Sequence, residues 1–338
     1  MTLIINNKNS KSATKHSTYN MLTVSENELL EIKELVAQLK GVTDDFESPD
    51  FLKRARTFGY RLPERLVEYL SAFRYSNGLP GAILIRGIDF SDSGRTPMSM
   101  EESRLAKRNT DSDLLLILMS SILGEVFGWS SQREGDLIND VFPLQGNERE
   151  QLSTGSTVDL AFHTEEAFHP YRADYVGLTC IRNHEQAPTR LGSLKSFQLS
   201  PATKEALLQD RFIFEKDKNF ENEEGTDEPE SVLFGATNDP YLRIDPAFMY
   251  VVSGDEAGQV ALNEIALQLT INLEDVYFQS GDFCFIDNYF LVHGRKAFKP
   301  LYDGTGRWLK RVNITTDLRK SRAFRSDSDS RVITPTKY

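Results

Sequence analysis

The chain has 338 residues, and 39% of them are apolar, which is enough to bury the core of one large domain. Its formal charge of −11 argues against a nucleic-acid partner, because binding a phosphate backbone requires a basic face. No apolar run approaches the roughly 18 residues of a membrane span, and the polar start lacks the apolar centre of a signal peptide. We therefore expect a soluble, cytoplasmic protein that binds a small molecule.

The N-terminal part, residues 21–130, is predicted to be mainly helical after a disordered leader at residues 1–20. The stretch TVSENELLEIKELVAQLKG places a capping box at Ser25 and Glu28 before an apolar stripe of helical period, and Gly41 ends it. This pattern predicts an amphipathic helix. Similar patterns predict three further helices and one short strand, at residues 50–57, 63–75, 111–123 and 82–88.

From about residue 137 the apolar period changes from helical to that of strands. The predicted strands are LINDVFP, TVDLAFHT, YVGLTCIRN, RFIFEK, YLRID, DVYFQ, DFCFIDNYFLVH and WLKRVNITT. A helix is expected at 256–273, and an acidic, polar lid loop at 212–232. We predict one domain, residues 21–338, of the α+β class with a mainly β core, a jelly roll or barrel, at about 80–320.

A cluster of metal-binding side chains lies in AFHTEEAFHP. In a strand His163 and Glu165 face the same side, and a third ligand must come from another segment. The candidates are His16 in the predicted leader, His184 at a turn, and His293, which ends the longest apolar run. Two histidines and one carboxylate on one face of an ion are the ligands of non-heme Fe(II) oxygenases. A hydrogen-bonded surface pair and a zinc site remain alternatives.

The order and context of these residues resemble a known family. FHTE is followed 130 residues later by the histidine of VHGR, and Arg307 stands fourteen positions beyond that histidine. This arrangement resembles the Fe(II)/2-oxoglutarate-dependent oxygenases of the clavaminate-synthase-like group. The contexts LINDVFP, LAFHTEEAFHPYRADYVGLTCIRN, PYLRID and GDFCFIDNYFLVHGR resemble the branch that hydroxylates free arginine and lysine. The resemblance covers roughly residues 80–320.

The resemblance implies a double-stranded β-helix, or jelly roll, with N-terminal and inserted helices. It makes His163, Glu165 and His293 the ligands of Fe(II), and Arg307 the partner of the distal carboxylate of 2-oxoglutarate, with O2 as the second cosubstrate. A guanidinium suits this role because it binds a carboxylate through two donors and keeps its charge. Thr189 is a further candidate contact to 2-oxoglutarate. Related halogenases carry glycine at the position of Glu165, so the glutamate predicts hydroxylation.

The resemblance also implies contacts to the backbone groups of an amino-acid substrate. Arg311 corresponds to the residue that pairs with the substrate α-carboxylate, although it could instead pair with a surface carboxylate. Asn139 falls where relatives have a polar side chain near the α-amino group, and Glu165 or Glu166 would supply a negative charge to that amine.

The substrate side chain is predicted from Asp245, which stands where the family places an acidic contact to the cationic end. A buried cation requires such a partner. Arginine-hydroxylating relatives carry a second aspartate two residues later, where this chain has Ala247. We therefore predict free L-lysine, oxidised at carbon 4 rather than carbon 3, with L-arginine as the alternative. Asp245 could instead pair with Arg243 or cap a turn.

Other readings remain open on the sequence alone. A non-catalytic jelly-roll binding protein, a zinc hydrolase, or an oxygenase acting on a carrier-tethered amino acid would share many of these features. His169 and His184 are expected to be structural or surface residues, and Asp287 is expected to be a hydrogen-bond acceptor on the same strand as His293. The sequence leaves the oligomeric state open.

Overall fold

The structure, a computed structural model, describes residues 17–89, 94–105, 110–216, 228–335 and 337. Its α-helices are α1 (Glu26–Lys40), α2 (Pro49–Gly59), α3 (Glu64–Arg74), α4 (Met100–Leu105), α5 (Asp111–Leu123), α6 (Pro201–Leu207) and α7 (Glu256–Asn272). The capping box that begins α1 is formed, since the Ser25 and Glu28 side chains each accept from the other residue's backbone N–H. None of the helices within the described ranges is long and apolar enough to cross a membrane.

The core consists of strands in two main sheets. The strands are β1 (Tyr19–Thr23), β2 (Ala82–Arg86), β3 (Glu125–Trp129), β4 (Asn139–Val141), β5 (Leu160–His163), β6 (Tyr175–Arg182), β7 (Thr189–Ser193), β8 (Phe212–Phe214), β9 (Leu233–Ala236), β10 (Asp239–Leu242), β11 (Met249–Val251), β12 (Glu274–Val276), β13 (Phe283–Asp287), β14 (Leu291–Arg295), β15 (Trp308–Thr315) and β16 (Val332–Ile333).

The large sheet has the strand order β1-β2-β13-β6-β15-β3-β16, with β4 also paired to β15, and the small sheet has the order β12-β7-β14-β5. Strands β8 and β11, and strands β9 and β10, form two separate pairs. The fold is therefore the mainly β jelly roll with N-terminal and inserted helices that the sequence predicts.

The large sheet is buried on both faces, which explains its continuous apolar runs. Successive side chains of a strand alternate between faces. On β13, Phe283 and Phe285 pack with the helical layer that includes α1, α2, α3 and α5, whereas Cys284 and Ile286 belong to the core cluster on the other face. That second cluster includes Leu291 of the small sheet, so the jelly-roll interior lies between the two sheets.

Two predicted boundaries differ from the structure. Strand β1 begins at Tyr19, inside the segment expected to be a disordered leader, and pairs in parallel with β2. This pairing satisfies the backbone groups of a short polar segment that has no apolar period of its own. Residues 1–16 lie outside the described residues. The predicted lid loop at 212–232 begins too early, because Phe212–Phe214 forms strand β8. The centre of the predicted loop, residues 217–227, lies outside the described residues.

The run DFCFIDNYFLVH, predicted as one long strand, forms two strands in different sheets. Strand β13 lies in the large sheet and β14 in the small one, with a turn between them. Asp287 caps this turn, because its Oδ1 accepts from the Tyr289 N–H at 2.9 Å. The prediction that Asp287 shares a strand with His293 is therefore wrong, although its role as a hydrogen-bond acceptor is confirmed.

Candidate active site

Three side chains from the small sheet and its edge converge in the way a metal ion requires. Strands β5 and β14 are antiparallel neighbours, and His163 lies opposite His293 in their register. One ligand atom from each of His163, Glu165 and His293 lies within 4.8 Å of the others, and no other such group of three occurs in the part of the chain that the structure describes. Nε2 of His293 is 3.2 Å from Oε2 of Glu165. The predicted ligand set is brought together.

A hydrogen bond orients the imidazole of His163, and burial acts on that of His293. Nδ1 of His163 lies 2.9 Å from the carbonyl oxygen of Ala161, a contact that requires the proton on Nδ1 and leaves Nε2 free to bind. Burial, followed by the charge of His163, lowers the pKa of His293. A neutral imidazole is the form that coordinates a metal.

The carboxylate ligand is held by its backbone as well as by its charge. Asn288, in the turn between β13 and β14, accepts from the Glu165 N–H at 2.7 Å and donates to the Glu165 carbonyl at 3.1 Å. Burial alone would raise the pKa of Glu165, but Arg311 and His293 outweigh it and lower that pKa. Glu165 is therefore an anion, and with the two histidines it forms the donor set that Fe(II) takes in a facial triad.

Arg311 lies beside this triad on β15. Its Nη1 donates to Oε1 of Glu165, and its Nη2 donates to Oε1 of Gln132 at 3.1 Å. Both Arg311 and Glu165 line one cavity of about 430 Å³. A guanidinium at the cavity wall next to the metal ligands can bind a carboxylate of a bound molecule.

Arg307 lines the same cavity and is buried, with 4% of its surface exposed. Among the described residues no carboxylate forms an ion pair with it, and its Nε has no hydrogen-bond partner. Burial lowers its pKa to about 10, so it remains a cation at neutral pH. Burying this cation is costly; the charge of Glu185, whose Oε1 accepts from the Arg307 backbone N–H at 3.0 Å, offsets part of the cost, and a dicarboxylate ligand would offset more. Thr189, buried at the start of β7, also lines this cavity.

Glu166 is oriented by a buried network that the sequence did not reveal. Its backbone has a φ of 52°, and its Oε1 accepts from Trp129 Nε1 at 2.5 Å and from Asn313 Nδ2 at 2.6 Å. Its Oε2 is buried and has no hydrogen-bond partner. Burial, followed by the charge of Glu165, raises the pKa of Glu166. Asn139 is also buried at the cavity, and its Nδ2 donates to the Asp136 carbonyl at 3.3 Å.

A second acidic region of the cavity contains Asp245. Its Oδ1 accepts from the Ala247 N–H at 3.1 Å, so Asp245 caps a turn, which is one of the two alternatives that the sequence allows. The other alternative was a pair with Arg243, which instead forms an ion pair with Glu230. Both Asp245 and Ala247 line the cavity. So does Glu215, which follows β8 and donates its backbone N–H to the Phe248 carbonyl at 2.7 Å. The sequence placed Glu215 in the acidic lid loop and did not single it out as a contact to the substrate.

Neither His169 nor His184 belongs to the triad. His169 is buried with its ring centroid 4.3 Å from that of Trp129, and its Nδ1 accepts from the Tyr171 N–H at 3.0 Å. Burial lowers its pKa to about 3, so it is a neutral structural residue. His184 is exposed, as expected, and His16 lies outside the described residues.

Comparison with known proteins identifies the group to which this site belongs. Residues 80–313 match the family described as taurine catabolism dioxygenase TauD, TfdA family. The enduracididine beta-hydroxylase of Streptomyces hygroscopicus is 34% identical, over 92% of this chain and 99% of its own. The L-ornithine/L-arginine 3-hydroxylase of Catenulispora acidiphila is 32% identical, over 92% and 98%. The L-lysine 4-hydroxylase of Chitinophaga pinensis is 30% identical, over 82% and 76%.

Solved structures agree with these relatives. The non-heme iron oxygenase OrfP in complex with Fe and alpha-ketoglutaric acid is similar to this chain with a TM-score of 0.86 and 35% identity, covering 93% of this chain and 100% of OrfP. OrfP has also been solved with Fe and L-Arg, with a TM-score of 0.82, 33% identity, and coverage of 93% and 99%. The triad, the buried arginine and these matches together show that the chain belongs to the TauD/TfdA family of Fe(II)/2-oxoglutarate-dependent dioxygenases.

Proposed function

We propose that this dioxygenase hydroxylates a side-chain carbon of a free L-amino acid whose side chain carries a positive charge. The observation that carries the proposal is the distribution of charge around one cavity. Arg307, Arg311, Asp245 and Glu215 all line this cavity, and Arg311 bonds to the metal ligand Glu165. A zwitterionic amino acid with a cationic side chain complements this pattern of charges.

Each proposed contact has a physical basis. Fe(II), 2-oxoglutarate and O2 supply the oxidising chemistry, and His163, Glu165 and His293 would hold the metal. Arg307, which lacks an ion-pair partner among the described residues, would bind the distal carboxylate of 2-oxoglutarate, with Thr189 beside it.

Arg311 would bind the α-carboxylate of the amino acid. The free Oε2 of Glu166, with Asn139 nearby in the cavity wall, would accept from its α-ammonium group. These contacts orient the substrate so that one side-chain carbon faces the metal.

The identity of the cationic group depends on the acidic end of the cavity. Glu215 adds a second carboxylate to Asp245, and two carboxylates suit the wide fork of donors on a guanidinium. The ornithine/arginine relative also matches more of this chain, at higher identity, than the lysine relative does. We therefore place L-arginine first.

L-lysine, oxidised at carbon 4, remains the second candidate. Ala247 stands where arginine-hydroxylating relatives are expected to carry an aspartate, and this absence favours a compact ammonium group. The similarity to a lysine 4-hydroxylase gives independent support.

The decisive experiment incubates the protein with Fe(II), ascorbate, 2-oxoglutarate and one free amino acid at a time. Succinate release and a mass gain of one oxygen are measured for L-arginine, L-ornithine and L-lysine, and for their uncharged analogues L-citrulline and L-norleucine. We expect the charged member of each pair to be preferred, since the carboxylates of Asp245 and Glu215 at the cavity attract a cationic side chain. Equal turnover of arginine and citrulline would contradict the proposal, as would oxidation of a carrier-tethered amino acid alone.

Two variants test the contributions of the Asp245 and Glu215 carboxylates separately. Asp245→Asn and Glu215→Gln are each expected to raise KM for the basic amino acid while leaving KM for 2-oxoglutarate unchanged. Asp239→Asn is the matched control, because Asp239 lies outside the cavity and pairs with Lys195 on the surface. If only Asp245→Asn has an effect, a single carboxylate selects the substrate and the case for lysine gains over that for arginine.

A further inference from the structure

Arg295 is a second buried arginine at the same cavity, and neither the sequence patterns nor the charge distribution used above assigns it a role. It lies two residues after His293 on β14, so both side chains point to the same face of the small sheet. Only 3% of its surface is exposed, and it lines the cavity together with Arg307. Among the described residues no carboxylate forms an ion pair with it.

Backbone carbonyl groups accept from three of the five N–H donors of Arg295. Its Nη1 donates to the Gly155 carbonyl, its Nη2 to the Val158 carbonyl at 3.0 Å, and its Nε to the Lys296 carbonyl at 3.2 Å. Residues 155–158 lead directly into β5, the strand that ends at His163. Arg295 therefore connects β14, which carries His293, to the segment that precedes β5, the strand that carries His163.

The neighbouring Gly294 lets these two strands approach closely. A Cβ atom at this position would lie 2.7 Å from the Leu160 carbonyl oxygen, closer than real Cβ contacts allow. The register between β14 and β5 is irregular between His293 and Arg295, so regular ladder pairing does not hold the strands together here. The hydrogen bonds of Arg295 supply the connection that the irregular ladder lacks.

Arg295 and Arg307 share one aromatic ring. The guanidinium carbon of Arg295 lies 5.1 Å from the centre of the Phe298 ring, and that of Arg307 lies 5.9 Å from the same centre. Both guanidinium groups therefore lie close to one ring at a buried cavity wall, and burial, followed by the charge of Arg307, lowers the pKa of Arg295 to about 10. Each buried cation loses its hydration and repels the other; the charges of Asp159 and Glu185 offset part of this cost, and a bound dicarboxylate would offset more.

We propose that Arg295 is a positioning residue of the cosubstrate site. The fixed charge of Arg295, which lies near the same Phe298 ring as Arg307, selects 2-oxoglutarate through the distal carboxylate of that ligand. Three of the five N–H donors of Arg295 bond to backbone carbonyl groups, so we expect it to act through the electrostatic potential and through the placement of Arg307 rather than by a direct contact. The inference concerns the cosubstrate of the family and does not depend on which amino acid is oxidised.

A purely structural role for Arg295 makes a different prediction, which allows a test. If the residue only holds residues 155–158 in place, its loss weakens every ligand of the cavity to the same extent. If its charge selects the distal carboxylate, its loss weakens 2-oxoglutarate much more than 2-oxopentanoate, in which a methyl group replaces that carboxylate.

The test measures binding by isothermal titration calorimetry on protein loaded with Mn(II), which involves no turnover. For Arg295→Gln we expect the Kd for 2-oxoglutarate to rise about tenfold and the Kd for 2-oxopentanoate to rise less than about threefold, as for loss of one screened charge near a bound anion. For Arg295→Lys, which keeps the charge, we expect the ratio of the two constants to stay within about threefold of that of the unmodified protein.

Arg190→Gln is the matched control, because Arg190 lies opposite Gly294 on the adjacent strand of the same sheet but pairs with Asp159 and Asp275 outside the cavity. It should leave the ratio unchanged. Equal weakening of both ligands by Arg295→Gln, or no weakening, overturns the proposal. If thermal melting shows that Arg295→Gln does not fold, the uncharged variant Arg295→Met takes its place: selective weakening of 2-oxoglutarate supports the proposal, and equal weakening of both ligands overturns it.

Discussion

Asn288 offers the sharpest test of how the fold supports the metal ligands. Its side chain makes three hydrogen bonds to backbone groups: it accepts from the Glu165 N–H at 2.7 Å and donates to the carbonyls of Glu165 at 3.1 Å and Ala173 at 2.8 Å. Asn288 is fully buried. The substitution Asn288→Ala leaves these three backbone groups without a partner, and at about 1 kcal/mol each it should lower the free energy of unfolding by about 3 kcal/mol.

The same substitution should also weaken metal binding, because Asn288 places the backbone of a ligand. Residues that orient ligands typically contribute about 10- to 100-fold in metal affinity. We therefore expect the Kd for Mn(II) to rise by about that factor. The two effects are measured separately, by urea unfolding of the metal-free protein and by calorimetric titration of the folded protein with Mn(II).

Asn183→Ala is the control, because Asn183 makes a similar set of three backbone bonds away from the triad. It donates to the carbonyls of Ala187 and Phe278, both at 3.2 Å, and accepts from the Ala187 N–H at 3.0 Å. Being half-buried, it should cost only about 1–2 kcal/mol, since water can replace part of its bonding. The reasoning is refuted if Asn288→Ala destabilises the fold but binds Mn(II) as tightly as Asn183→Ala does.

Two further predictions follow from the same contacts. Glu166→Gln keeps the acceptor for Trp129 and Asn313 but removes the ionisable carboxyl group. Burial and the charge of Glu165 raise the pKa of that group, and a bound α-ammonium would favour its anionic form. Because the variant cannot ionise, KM for the amino acid should rise about tenfold or more while KM for 2-oxoglutarate changes little; equal changes in both constants would contradict the proposed contact to the α-ammonium. Burial raises the pKa of Asp287 to about 7, above its ordinary value. The folded state therefore binds the proton more tightly than the unfolded state does, and the free energy of unfolding falls as pH rises from about 4 to about 7. Asp287→Asn keeps the acceptor for the Tyr289 N–H and should remove that fall, which urea unfolding of both proteins at pH 5 and pH 8 would measure; a variant with the pH dependence of the unmodified protein would contradict the assignment.

The iron triad was predictable because its members belong to strands whose side-chain direction follows from a period of two. His163 and Glu165 lie two residues apart, and His293 ends an apolar run. The sequence therefore leaves few histidines as candidates for the third ligand. Their convergence within 4.8 Å agrees with that prediction. Arg307 was found through the spacing of a known family and not through any local pattern. Its burial without an ion pair is a structural observation that no periodicity reveals.

The supporting residues escaped prediction because their partners are backbone atoms far away in the sequence. Asn288 bonds to Glu165 across 123 positions, and Arg295 bonds to Gly155 across 140. A sequence pattern reports the residue type and the local period, and neither identifies a distant carbonyl group. The polar pair Asp287 and Asn288 inside an apolar run was the one local sign, since both residues favour turns.

That sign also explains why one predicted strand became two. An apolar run of twelve residues fits a single buried strand, but a jelly roll must pass its chain from one sheet to the other. Asp287 caps the turn at which this happens, and Asn288 reaches from the turn to the carboxylate ligand. The turn that connects the two sheets therefore also supports the metal site. Three residues after Phe290, His293 lies in the small sheet directly opposite His163. A sequence that continued the strand through this point would place the third ligand on the large sheet, away from the other two.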